Sequence, residues 1–390
     1  MRYLKYFTFF LATLFILGGW SSPTIAKAQE IVPDKSEIVK AVVLEVEDEP
    51  TTKIPEINIP QVKQQLTVKI LDGNLKGKTI SFFNEYIELK KGETFYLNHT
   101  IDSGSGQEFY SVQDADRLPV LYFFTALFVV LVLLIGGLQG LRGLLSLSGS
   151  FLLIAFALLP AIMHGFSPIL VSVGVASLII ILGSYITHGF NKTTSSAVIG
   201  MIVTVIFTGI MAYVAVHISN FSGYDTEEAM YLNMNTKGQI DLVGILIGGM
   251  MIGFLGVLYD VAIGQAISVE ELHHIAPHIE RKTIFKRAIR IGREHIGALV
   301  NTLAIAYVGA SLPLLLLFST PPVDVKMILN RELFASEVLR ILIGSIGLVL
   351  AVPITTFLSV YILMPKVQKN IPKDELQKEK KELEHFHHTH

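Results

Sequence analysis

The spacing of apolar and polar residues divides the chain into two regions. Between residues 29 and 117, short segments alternate apolar and polar positions, and turn residues such as Asp72-Gly73-Asn74 separate them. Strands this short need closure or a partner sheet to bury a core, so we expect a small β-barrel or β-sandwich over residues 29–117. The predicted strands are Val39–Val46, Gln65–Leu71, Lys78–Phe83, Thr94–His99 and Ser111–Asp114.

Long apolar runs dominate the chain from Pro119 onward. A membrane-spanning helix needs about 20 predominantly apolar residues, and most of these runs approach or exceed that length. The pattern predicts a polytopic α-helical membrane protein in which residues 118–364 form the transmembrane domain. Its seven predicted spans are Val120–Leu138, Leu147–Met163, Ile169–Ile186, Ala197–Val216, Leu242–Ile267, Ile296–Phe318 and Val338–Leu363.

The two ends of the chain have their own composition. A basic start precedes the apolar stretch Tyr6–Gly18, and Ala26-Lys27-Ala28 offers small residues for cleavage, which predicts a signal peptide over residues 1–28. An uncleaved anchor helix extending to Trp20 is the alternative. The lysine- and glutamate-rich residues 365–390 are expected to form a charged cytoplasmic tail.

The charges of the connecting loops predict the orientation. Loop Ser268–His295 is rich in arginine and lysine, whereas Ser219–Gln239 is acidic with only Lys237. Basic loops stay on the cytoplasmic side of a membrane. We therefore expect residues 29–117 to lie outside the cell membrane and the C-terminus to lie in the cytoplasm. An odd number of spans after a signal peptide predicts the same orientation.

Composition excludes several classes of function. The chain is 51% hydrophobic and 16% charged, and it contains no cysteine, so disulfides and thiolate chemistry are excluded. Basic residues cluster only in predicted cytoplasmic segments, so nucleic acid is not an expected partner. Glu270, His274 and His278 lack a metalloprotease pattern and are interpreted as a solvated helix. We expect no metal, no cofactor and no enzymatic activity.

One carboxylate lies inside a predicted span and marks the candidate site. Asp260 belongs to the apolar run Leu242–Ile267, and an ionisable residue in a span indicates function. Gln265 follows it, and Asn301 and Thr302 lie in the next span. We expect these four residues to form a polar core that binds a proton or a cation. The alternative is that Asp260 only makes a structural hydrogen bond between packed helices.

Small residues recur every three or four positions in the last three spans. Such stripes let helices approach closely, so we expect the stripe that contains Asp260 to face protein. The expected helix-packing residues are Gly249, Gly253, Gly256, Gly264, Gly297, Gly344 and Gly347.

The residues around this site carry a family resemblance. The segments GVLYDVAIGQAISVEEL (Gly256–Leu272) and GREHIGALVNTLAIAYVGASLPLLLLF (Gly292–Phe318) resemble the YibE/F-like family of bacterial membrane proteins. LDGNLKGK (Leu71–Lys78) and YSVQDADR (Tyr110–Arg117) are similar to that family's external domain and its junction with the first span. The family often has an acid beside the intramembrane carboxylate, where this chain has Tyr259. The resemblance implies a permease-like, multi-pass protein of the bacterial cytoplasmic membrane.

Two functional hypotheses follow from the sequence. In the first, the protein is a transport component whose intramembrane carboxylate exchanges a proton or a cation, with an unknown substrate. In the second, it is a non-catalytic membrane scaffold whose external β domain binds a cell-envelope partner. The sequence predicts contact with the lipid bilayer, and it leaves open a homo-oligomer or a cell-envelope protein as a partner.

Overall fold

The computed structural model describes residues 35–48, 62–318 and 324–364. The predicted signal peptide and the charged tail lie outside the described residues. The chain forms two compact units that divide between Leu127 and Phe128, and each unit is described separately.

The first unit contains one five-stranded antiparallel sheet with the strand order β3-β2-β1-β4-β5. All five predicted strands are confirmed. The sheet curls into a half-barrel, so the expectation of a closed barrel or a two-layer sandwich needs correction. The strands are β1 (Lys35–Asp48), β2 (Gln64–Ile70), β3 (Thr79–Asn84), β4 (Thr94–Ile101) and β5 (Glu108–Ala115).

Alternation along the strands produces the core of this sheet. Val39, Ala41 and Val43 on β1 are buried, as are Leu66 and Val68 on β2. Successive residues of a strand point to opposite faces, so these positions line one face. A single face with this alternation is typical of an antiparallel sheet that is solvated on its other side.

The described chain after the sheet is helical, and most of its helices match the predicted apolar runs. The helices are α1 (Leu118–Leu153), α2 (Leu159–Met163), α3 (Pro168–His188), α4 (Lys192–Ile218), α5 (Glu227–Asn235), α6 (Leu242–Gly253), α7 (Leu255–Ile275), α8 (Arg281–Ala310), α9 (Leu312–Phe318), α10 (Val325–Asn330) and α11 (Glu332–Leu363). A π-helical turn, Ile154–Leu158, joins α1 to α2.

Five helical segments in the described part of the chain are long and apolar enough to cross a membrane. Two features explain why the structure has five such segments where the sequence predicted seven spans. The first two predicted spans belong to one continuous segment, Leu118–Met163, which contains the non-helical residue Gly137 with φ 53° and ψ −135°. The predicted sixth span lies in α8 and α9, which are separated at Ser311, and α8 carries basic residues in its first half. The candidate spans are Leu118–Met163, Pro168–His188, Lys192–Ile218, Leu242–Ile275 and Glu332–Leu363.

Two helices with small residues at every fourth position form the centre of the helical unit. Ser196 and Ser359 lie with their hydroxyl oxygens 2.9 Å apart. Gly200 lies against Thr355, because a Cβ added at Gly200 would be 3.0 Å from the Thr355 Cα. Gly347 similarly faces Thr208. Because positions rise along α4 as they fall along α11, the two helices pack antiparallel along these stripes.

Candidate functional site

Asp260 lies in the wall of a cavity between three helices of the second unit. The cavity has a volume of about 280 Å³. Helix α7 contributes Asp260, Val261, Gly264, Gln265 and Ser268; α8 contributes Gly292, His295 and Leu299; and α11 contributes Val352. The cavity therefore combines a carboxylate, an amide, a hydroxyl and an imidazole with an apolar remainder.

Gln265 is the buried polar side chain of this cavity, and its position is fixed by two neighbours. It is 4% exposed, and its Oε1 accepts a hydrogen bond of 2.8 Å from the Thr356 hydroxyl of α11. A Cβ added at Gly292 would lie 2.5 Å from Gln265 Nε2, so the missing side chain makes room for the amide. The Gln265 Nε2 atom thus lies beside Gly292, and both residues line the cavity.

The structure brings together only part of the predicted polar core. Asp260 and Gln265 share the cavity, but Asn301 and Thr302 do not line it. Both are exposed on α8, and the Thr302 hydroxyl donates to the backbone carbonyl of Ala298 at 2.9 Å. Hence the expected grouping of all four residues needs correction.

The expected glycine stripe on α6 and α7 does not pack against another helix of the described chain along most of its length. Gly249, Gly256 and Gly264 are exposed, and a Cβ added at any of them would meet nothing within 4 Å. Gly253 is different, since it lies against the Tyr307 side chain of α8. The residues of α7 that turn inward lie on another face of the helix: Leu258, Val261, Ala262, Gln265, Ala266 and Val269.

The other three predicted packing glycines also include both packed and unpacked positions. Gly344 and Gly347 on α11 are buried, and an added Cβ would lie 3.4 Å from Phe254 at Gly344 and 3.3 Å from it at Gly347. Phe254 is the residue that separates α6 from α7, so these glycines accommodate the break. Gly297 on α8 is exposed with open space around it.

Tyr259, which stands where the family often has a second acid, points to a different helix. Its hydroxyl donates to the backbone carbonyl of Gly183 on α3 at 3.3 Å. Its ring lies 5.9 Å from the His188 ring, centroid to centroid. Tyr259 therefore ties α7 to α3 and does not line the cavity.

Besides its apolar lining, the site contains two polar residues and one glycine that were not predicted as site residues. His295 and Ser268 line the cavity, and Gly292 makes room for Gln265. The signal was available in the segment GREHIG, Gly292–Gly297, where a histidine follows a glycine by three positions and so lies near it on the helix. Because basic residues surround this segment, the sequence analysis assigned it to a cytoplasmic loop.

A second charged cluster lies at the opposite end of α11 from Thr356. The Glu332 carboxylate accepts hydrogen bonds from the backbone N–H groups of Ser222 and Gly223, at 2.8 and 2.7 Å. Asp225 is 7% exposed and lies 3.8 Å from Arg340. Burial raises the pKa of Asp225, and the Arg340 guanidinium opposes that change. These contacts hold the acidic loop against α11.

No group of three histidine or acidic side chains in the described residues is arranged to hold a metal ion. Glu270, His274 and His278 do not converge on such a site.

A comparison with protein families identifies the helical region. The model of the YibE/F-like protein family matches residues 124–365, which is more than half of the 390-residue chain. The chain belongs to the YibE/F-like family. No curated protein and no solved structure matches the chain. The match begins after the last strand, β5, so the similarity of Leu71–Lys78 and Tyr110–Arg117 to the family's external domain stays a prediction. Membership and the candidate spans together make this a membrane protein in contact with the lipid bilayer.

Proposed function

We propose that this YibE/F-like protein is a permease-like transport component that uses Asp260 as a proton or cation site. One observation carries the proposal: Asp260 lines a cavity of about 280 Å³ and is not sealed into a helix contact. A packing role needs a closed contact, whereas exchange of an ion needs a space that the ion and water can enter. Water in the liquid occupies about 30 Å³ per molecule, so the cavity can hold several.

The proposal includes seven crossings of the bacterial cytoplasmic membrane with the β unit outside and the C-terminus inside. The non-helical kink at Gly137 and the length of the segment support two crossings within Leu118–Met163. The apolar second half of α8, followed by α9, supplies a further crossing. Under this topology the cavity lies toward the cytoplasmic side of the bilayer, because α7 leads from Asp260 to the basic loop.

A charge-neutralising variant of Asp260 tests the proposal. Asp260→Asn keeps the size and the hydrogen-bonding capacity of the side chain but cannot bind or release a proton. In a strain that lacks the gene and shows a growth defect, the variant should accumulate normally and fail to restore growth. Glu228→Gln, which neutralises an exposed acid of α5, is the matched control and should restore growth fully.

The scaffold hypothesis is the second candidate, and one observation favours it. The exposed glycines of α6 and α7 leave a helix face that another protein could cover. A scaffold tolerates the loss of a titratable proton. Full restoration of growth by Asp260→Asn at wild-type abundance would therefore contradict the transport proposal and favour the scaffold hypothesis.

A further inference from the structure

The cavity that contains Asp260 holds a second titratable side chain, His295. Asp260 extends from α7 and His295 from α8, and both residues are exposed and line the cavity. The remaining lining residues are glycines, apolar side chains, one amide and one hydroxyl. Asp260 and His295 are thus the two groups in this wall that can take up a proton.

We infer that His295 is the group through which Asp260 exchanges its proton with water, an inference that rests on the proposed function. Histidine is the side chain that ordinarily changes charge between about pH 5 and pH 8. Next to a carboxylate, it can hold a proton that the carboxylate has just released. Asp260 and His295 line the same cavity, and α7 leads from Asp260 to the basic loop.

The exchange is a simple proton transfer with a balanced charge. The neutral carboxyl group of Asp260 releases its proton through cavity water to the neutral imidazole of His295. The products are a carboxylate and an imidazolium. The imidazolium then releases the proton to bulk water, and loading of Asp260 follows the reverse order. The Gln265 Nε2 donor, held in the same wall, can hydrogen-bond the water or the carboxylate.

Other charged groups near His295 do not share the cavity. Along α8, Arg293 and Glu294 are exposed and do not line it. On α7, Glu271 lies one turn beyond Ser268 and also does not line it. Helix α11 presents only Val352 to the cavity. Asp260 is therefore the other ionisable group that lines this cavity with His295.

Carbodiimide labelling of the full-length protein in membranes tests this inference. Dicyclohexylcarbodiimide reacts with neutral carboxyl groups in apolar surroundings and leaves a stable N-acylurea. Peptide mass spectrometry then gives the labelled fraction of Asp260 at a series of values from about pH 5 to about pH 8. The variant Asp260→Asn defines the background.

Two substitutions at position 295 should change the labelling in opposite directions. His295→Gln removes the positive charge that stabilises the carboxylate, so labelling near pH 6 should rise by about threefold or more. His295→Lys supplies a permanent positive charge, so labelling should fall across the range. His274→Gln, a change of an exposed histidine outside the cavity, should leave the profile unchanged. Because the two substitutions act in opposite senses, either one alone is decisive if the other fails to insert.

The outcomes separate the inference from the function on which it rests. If Asp260 is labelled and both His295 variants match the wild-type profile, the relay is overturned and the proton site survives. If wild-type Asp260 stays unlabelled at every pH, the proton form of the proposed function fails together with the relay, and only a cation site at Asp260 is left.

Discussion

The missing side chain at position 292 decides how the buried amide of Gln265 is placed. A Cβ there would lie 2.5 Å from Gln265 Nε2 and 2.6 Å from Val352 Cγ1. Gly297 is only five residues further along the same helix and has open space around it. The two glycines therefore form an internal comparison between a packed and an unpacked position.

Gly292→Ala should lower the thermal unfolding temperature, whereas Gly297→Ala should maintain or raise it. Overpacking costs about 1–3 kcal/mol, which exceeds the gain of about 1 kcal/mol from replacing glycine by alanine in a helix. At Gly297 only the gain applies. A fluorescence-based thermal shift of both purified variants in detergent measures the difference. Equal unfolding temperatures for the two variants would contradict the close packing at Gly292.

Part of the site was predictable at the residue scale. Asp260 and Gln265 stand out in an apolar run, and they do share a cavity. Asn301 stands out equally in its own run, yet α8 turns it away from that cavity. The sequence does not show how each helix is rotated about its axis, because a membrane helix is apolar on every face. His295 was missed because its sequence neighbours are polar, so the segment that contains it resembles a solvated loop.

At the scale of elements, the packing of α4 against α11 was only half predicted. The small residues of α11 were recognised, but the matching residues of α4 were not. The spacing of Gly344 and Gly347 predicted a close helix contact on α11. Its observed partner carries Ser196, Gly200 and Thr208, and hydroxyl residues predominate there. Serine and threonine allow the same close approach as glycine and also hydrogen-bond to the preceding turn. A glycine pattern alone therefore underestimates such an interface.

A pair of introduced cysteines tests the register of these two helices. The chain has no cysteine of its own, and the Ser196 and Ser359 hydroxyl oxygens are 2.9 Å apart. Ser196→Cys with Ser359→Cys should form a disulfide after mild oxidation in membranes, since the side chains already converge. Intact mass before and after reduction measures the bond.

The neighbouring position supplies the control for this crosslink. Ser195 is one residue, or about 100° of helix rotation, from Ser196, and its hydroxyl donates to the Asn191 carbonyl at 2.8 Å. Ser195→Cys with Ser359→Cys should stay reduced under the same conditions. Equal crosslinking of both pairs would show that the register is wrong or that the helices slide.

At the scale of the whole molecule, the two units differ in how well the sequence predicts them. Every strand of the first unit was predicted because period-two alternation is specific to half-buried strands. The number of spans does not follow from hydropathy in the same way, because the kink at Gly137 lies inside an unbroken apolar segment. The first half of α8 is also basic and was assigned to a loop, although it forms one continuous helix with the apolar second half. Local hydropathy does not record where a helix is kinked.

Single-cysteine labelling tests the predicted orientation of the helical unit. Cysteine at Glu228, in the acidic loop, should react with a membrane-impermeant maleimide in intact cells. Cysteine at His278, in the basic loop, should react only after permeabilisation, because basic loops remain in the cytoplasm. Both positions are exposed, and neither substitution removes an arginine or a lysine. The cysteine-free parent provides the blank. Labelling of both positions in intact cells would put the two loops on the same side, and the proposed exit of the Asp260 proton toward the cytoplasm would have to be abandoned.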